Sequence, residues 1–250
     1  MKFLLLITLI TTQYVFALVS IAPVEIGDKP GFSSTIEAAL ETKRGNTDTD
    51  SYKASARTTY DSSQSYVTWA EVSGAYGKAS GEENTNKLFL HARYIHAITD
   101  KTLRAEAFGQ LQNDKFKQIN SRALIGGGVR FKIFDLLQNG KGYFGIGAFY
   151  ENIRYENELI NPSEDNLRLN SYFAYSVDIN KNSSIAYTLY YQPKIDRLND
   201  DVQSHEVELK LSVYENVFLK FSLSYDTDSK PPIGVAKYDF TQNTSFIFNF

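Results

Sequence analysis

The sequence predicts an all-β fold: a single antiparallel transmembrane β-barrel of about twelve strands, of the outer-membrane type. Three observations predict it. The last stretch, YDFTQNTSFIFNF (238–250), places Tyr238, Phe240, Phe246, Phe248 and Phe250 on one face and mostly polar residues on the other. Side chains alternate across a strand, so this is a strand with an oily and a wet side. As the exposed edge of a soluble sheet it would invite aggregation; as the seam of a closed barrel it has lipid on one face and water on the other. Second, from Gly31 onward the chain alternates with period two, broken at intervals by turn residues. Third, the N-terminus reads as an export signal, and no other apolar run approaches the roughly 20 residues that a membrane helix needs.

Composition narrows the function classes. The 250 residues include 17 Tyr, 17 Phe and no Cys. Disulfides and thiolate metal sites are therefore excluded. A formal net charge of −3, with no basic run or stripe, gives no case for nucleic acid. Residues 1–17 carry a basic start (Lys2), an apolar run from Phe3 to Ile10 and a small residue, Ala17, before the expected cleavage. Residues 18–30 form a periplasmic lead-in in which Pro23 and Pro30 block strand pairing. Residues 31–250 form the barrel.

The strands follow in order. Strand one, 32–43, turns Phe32, Ile36, Ala38 and Leu40 outward and Glu37 inward. After a polar loop (44–50), strand two, 51–60, turns Tyr52 outward and Lys53 and Arg57 inward. A tight turn at 61–64 leads to strand three, 65–78, with Trp69 and Glu71 inward. A second polar loop is expected at 79–85. Strand four, 86–98, sends Leu88, Leu90 and Tyr94 out and Lys87, His91 and Arg93 in. Strand five, 101–111, places Arg104 and Glu106 inside, and 112–118 reads as a polar loop. Strand six, 119–134, turns Ile119, Ala123, Ile125, Val129, Phe131 and Ile133 outward and Arg122, Arg130 and Lys132 inward. Its Gly126-Gly127-Gly128 run permits a bend or a close approach. Strand seven, 142–155, is aromatic and glycine-rich, and its register is ambiguous. Strands eight to eleven occupy 167–179, 184–192, 202–214 and 217–225, with Glu206, Glu208 and Lys210 inward. The connections alternate between long and short, and an even strand count puts both chain ends in the periplasm.

The segment from Gly31 to Asp135 resembles the family of salt-induced outer-membrane proteins, an exported β-barrel domain of unknown function. The resemblance rests on GFSSTIEAALETKRGNTDTDSYKASA (31–56), above all the Gly45–Asp50 loop, and on 76–86 with its Gly-Glu-Glu-Asn core. It implies an outer-membrane barrel without an established activity, possessing a link to envelope or osmotic stress. Tyr238, Phe246, Phe248 and Phe250 are similar in placement to the signal read by the barrel-assembly machinery. That implies this machinery, periplasmic chaperones and outer-membrane lipids as partners, with a monomer as the expected state.

The candidate functional residues are the inward charges: Glu37, Lys53, Arg57, Lys87, His91, Arg93, Arg104, Glu106, Arg122, Arg130, Glu206 and Glu208. Opposite signs on neighbouring strands, such as Glu37 near Lys53 or Arg57, give either a lumen held by ion pairs or a narrow polar passage. The first describes a structural or passively permeable, non-enzymatic barrel; the second, a porin-like channel for small polar solutes. A third reading, a lipid-modifying enzyme, needs a nucleophile, a His and an acid converging. His91 and His96 fall on opposite faces of one strand, His205 has lipid-facing parity, and no G-x-S-x-G occurs. Thr47, Asp48 and Asp50 could hold a cation, but the calcium-loop pattern is incomplete, and they read as a solvated turn. No catalytic residue, metal site or cofactor is expected.

Overall fold

A computed structural model describes residues 24–43, 49–99, 102–133 and 140–250. The expected signal peptide (1–17), residues 18–23 of the lead-in and residues 44–48 of the first polar loop lie outside these residues. The described chain forms twelve antiparallel strands: β1 (Gly31–Lys43), β2 (Thr49–Asp61), β3 (Tyr66–Ala79), β4 (Glu82–Ala97), β5 (Leu103–Asp114), β6 (Ile119–Ile133), β7 (Gly140–Tyr155), β8 (Glu164–Asn180), β9 (Ser183–Pro193), β10 (Asp201–Tyr214), β11 (Val217–Asp228) and β12 (Tyr238–Asn249). Each pairs with its sequence neighbours, and β12 returns to β1, so the sheet closes. Closure leaves no open edge, which is what a sheet in hydrocarbon requires.

The period-two pattern fixes which way the barrel faces. Phe32, Leu40, Ile125, Phe221 and Phe246 are exposed on the outside, while Arg93, Glu106, Arg130 and Glu151 are buried within. An apolar exterior on this scale suits lipid, since a soluble surface keeps its apolar patches small. Aromatic side chains string along both rims. Phe32, Tyr60, Tyr66 and Tyr94 follow one another at 4.8–5.9 Å around the rim that carries the chain ends. Tyr187, His205, Tyr225 and Tyr238 form a second string at 6.1–6.5 Å, rising toward the opposite rim. Amphipathic rings favour these two interfaces.

Four expectations are corrected. The 79–85 loop is a two-residue turn, because Ser80 and Gly81 both adopt positive φ (52° and 86°), the geometry of a type I′ hairpin. Glu82 to Asn86 therefore belongs to β4. The 112–118 loop is shorter too: β5 runs to Asp114, whose carboxylate caps a 3₁₀ turn at Lys115–Lys117. Loop 156–166 ends early, since β8 begins at Glu164. Finally, Ile119 is buried against Ile153 and Tyr155 instead of facing lipid. Irregularities in register between Ile119 and Ser121, and opposite them on β5, rotate the start of β6 by one position.

The seam is the shortest ladder. Thr35–Ala38 pair with Asn249–Phe246, and Ser34 and Phe250 exchange backbone bonds of 3.0 and 2.8 Å. Further along, side chains take over: Ser245 Oγ donates to Glu37 at 2.6 Å, and Lys53 Nζ to Asn243 Oδ1 at 3.3 Å.

Candidate functional site: a one-sided polar chamber

The interior is asymmetric, and side-chain size is the reason. From β3 to β9 the packed inward positions carry long and aromatic groups. Arg93 lies against the Trp69, Phe108 and Tyr172 rings at 5.0–5.9 Å and reaches Glu106 at 3.3 Å, while Tyr172 donates to the same carboxylate at 2.9 Å. Nearer the outer rim, Glu151 accepts from Arg122 at 2.6 and 2.8 Å and from Arg168 at 2.7 Å. Arg168 continues to Asp200, and Asp200 to Lys194 at 3.0 Å. Desolvated charges survive only when paired and hydrogen-bonded in this way.

From one end of β8 and β9 through β12 and β1 to β4 the remaining inward positions alternate charged residues with small ones, among them Ser55, Ser73, Ala75, Ala186, Ser204, Ser222 and Ser224. Small side chains cannot meet across a barrel of this width, and a cavity of about 480 Å³ is left. Its charged lining includes Glu37, Lys53, Arg57, Glu71, Lys87, Glu206, Glu208, Lys210 and Lys220. Lys220 bridges Glu37 at 2.7 Å and Glu208 at 3.2 Å, and Arg57 binds Glu71 at 2.5–2.7 Å.

Both ends of this chamber are tied down. At the rim that carries the chain ends, residues 24–30 run across the opening. Asp61 accepts from the Gly27 amide at 2.9 and 3.0 Å and from the Lys29 amide at 3.2 Å. Glu25 pairs with Lys132 at 2.7 Å and Arg104 at 3.8 Å, Asp28 pairs with Lys141 at 2.8 Å, and Arg130 donates to the Val24 carbonyl. Val24 and Ile26 pack on the cluster around Val67, Trp69 and Tyr172. At the opposite rim, Gln118, Asn161 and Ile233 hydrogen-bond in a ring at 2.8–3.1 Å, joining three connections. Ser229 adds the fourth through Asn199 and Asp201. Lys117 reaches from its 3₁₀ turn to Asp239 on β12 at 2.7 Å, across the mouth. Burial pushes the Lys117 ammonium down to about 8 against the opposing pull of Asp239.

All twelve charged or histidine candidates lie on inward faces, but they are divided between two environments. Glu37, Lys53, Arg57, Lys87, Glu206 and Glu208 line the chamber. Arg93, Arg104, Glu106, Arg122 and Arg130 belong to the filled half, as does His91, which is stacked on Phe89 and bonded to Gln110 at 3.1 Å. Glu37 stands near Lys53 as expected, but its ion pair is with Lys220 across the seam, and Arg57 takes Glu71. Tyr238, Phe246, Phe248 and Phe250 all face outward. Glu151, Tyr143 and Phe149 escaped sequence reading because the register of β7 could not be assigned. Tyr172 and Tyr190 could have been found, since both are aromatics at inward parity. The Lys117–Asp239 latch and the Asp61 cradle left no signal beyond polar turn residues.

Comparison with known proteins agrees with this architecture. The family described as "Protein of unknown function, DUF481" matches residues 36–250. Among solved structures, the chain is similar to an outer-membrane channel from Pseudomonas putida F1, at 12% identity and a TM-score of 0.57, over 91% of this chain and 100% of that one. It is also similar to the NanC porin, at 11% identity and a TM-score of 0.49, over 87% and 97% of the two chains. The translocator domain of the autotransporter NalP from Neisseria meningitidis follows at 8% and 0.49, over 89% and 90%. No curated protein matches. The first likeness speaks for the fold, and with an oily exterior the molecule is a bacterial outer-membrane barrel.

Proposed function

The chain belongs to this family of unknown function, DUF481, and we propose that it is a non-enzymatic, porin-like passage for small polar solutes, closed at rest. The observation that carries this reading is the 480 Å³ polar chamber, held between a strap of residues 24–30 and a lid of interlocked connections. A barrel serving only as scaffold would gain packing energy by filling that space as it fills the interior around Arg93, Glu106 and Glu151. The enzymatic alternative finds little support: His91 is packed against Phe89 and Gln110, and His205 lies between Tyr187 and Tyr225 on the outer face. The link to envelope or osmotic stress rests on the resemblance within 31–135. The role of Tyr238, Phe246, Phe248 and Phe250 as the assembly signal rests on their place in the terminal strand.

Planar-bilayer recording tests the proposal. Wild type should open rarely and briefly. A Glu25→Gln/Asp28→Asn variant, with two strap ion pairs removed, should conduct steadily. Silence from both, in folded protein, would contradict it.

A further inference from the structure

Beneath the strap, the inner faces of β5, β6 and β7 bring cations together. Arg104 and Arg130 stand directly opposite each other in the β5–β6 ladder, and Lys132 stands opposite Tyr143 in the next one. Both guanidiniums lie against the Tyr143 ring, at 5.4 and 4.2 Å, and all three residues are buried. Their acceptors are few, and the strap supplies them. Among the described residues, Glu25 is the one carboxylate paired with Arg104, at 3.8 Å, and it is shared with Lys132 at 2.7 Å. Arg130 has the Val24 carbonyl. Glu106 is near Arg130 but is engaged by Arg93 at 3.3 Å and Tyr172 at 2.9 Å. Arg104 Nε and Nη1, Arg130 Nε and the Tyr143 hydroxyl meet no hydrogen-bond partner.

Like charges directly opposite in a ladder repel, and buried guanidiniums are costly without acceptors. Each guanidinium offers five N–H donors in a planar fork that fits the edge of a carboxylate or phosphate. One strap carboxylate, bound to a lysine and 3.8 Å from one fork, uses little of that capacity. A tetrahedral oxyanion has oxygens enough to accept from both arginines, from Lys132 and from the Tyr143 hydroxyl. The room for it is the room that Glu25 vacates. We infer that this cluster is a binding site for a free oxyanion of the phosphate class, occupied at rest by Glu25 as a built-in substitute. Facing the lumen, the site takes its ligand from water and not from lipid headgroups. Ligand and strap compete for the same cations, and that competition does not depend on whether the barrel conducts.

Titration calorimetry with inorganic phosphate tests this, on folded protein in detergent micelles at constant ionic strength. The strap-weakened Glu25→Gln/Asp28→Asn protein should bind phosphate roughly tenfold more tightly than wild type, because the competing closed state is depopulated. Adding Arg104→Gln should cost at least about tenfold, the usual worth of a hydrogen bond to a charged group. Tyr143→Phe keeps the ring and loses only the hydroxyl. It should weaken binding too, which keeps the test decisive if the arginine variant fails to fold. No saturable binding to the strap-weakened protein would overturn the site. Affinity unchanged by Arg104→Gln and Tyr143→Phe would mean an adventitious ion only, and would overturn it as well. Equal affinity in wild type and strap-weakened protein would overturn the competition with Glu25.

Discussion

Glu151 has no exposed surface, and its two oxygens accept from Arg122, Arg168 and Asn166. Removing its charge leaves two guanidiniums buried with less compensation. Glu151→Gln should therefore destabilise the barrel by about 3–5 kcal/mol, the usual cost of breaking a buried ion pair from one side, as read by urea unfolding in lipid vesicles. Lys117 gives a pH dependence at the outer mouth, where it meets Asp239 and is felt by Asp114 and Asp226. Its value is about 8 in the closed structure against 10.5 in water. Between those pH values the open state holds a proton that the closed state does not, so closure gains stability as pH rises through that window. Bilayer openings should become rarer from pH 8 toward 10. Lys117→Met should abolish that trend.

The strands show how much of the fold was legible. Alternation located all twelve and most of their inward faces, that of β7 excepted, because a lipid-facing strand must be oily on every second residue. Ends were misread where strands leave the membrane and lose that constraint: Glu82 to Asn86 is wholly polar yet lies in β4. The glycine run in β6 was visible, but its partner was not, since β7 interleaves glycine with aromatics on both faces. In the structure Gly128 pairs directly with Gly147. A Cβ on Gly128 would strike the Ile146 carbonyl and come within 2.7 Å of the Gly147 Cα. Both obstacles are backbone and cannot turn aside. Gly128→Ala should cost roughly 1–3 kcal/mol, as overpacking does elsewhere, and should speed unfolding in vesicles.

At the scale of the molecule, the account turns on where the hollow lies. Counting charges gives either a packed lumen or a passage; the structure packs the interior around Arg93, Glu106, Tyr172 and Glu151 and leaves open space beside Glu37, Ser73, Glu208 and Ser222. That division was not legible, because it depends on which serines and alanines face one another across the barrel. The strap was hidden for a related reason: nothing in residues 24–30 announces that Asp61 will receive them. The natural absence of cysteine makes the division directly measurable. Single cysteines at Ser73 and Ser222, which line the chamber, and at Asn170, buried in the filled half, can be exposed to a small charged thiol reagent in the strap-weakened protein. The account predicts rapid labelling at Ser73→Cys and Ser222→Cys and little at Asn170→Cys. Equal labelling at all three positions, or none at Ser73→Cys and Ser222→Cys, would contradict it.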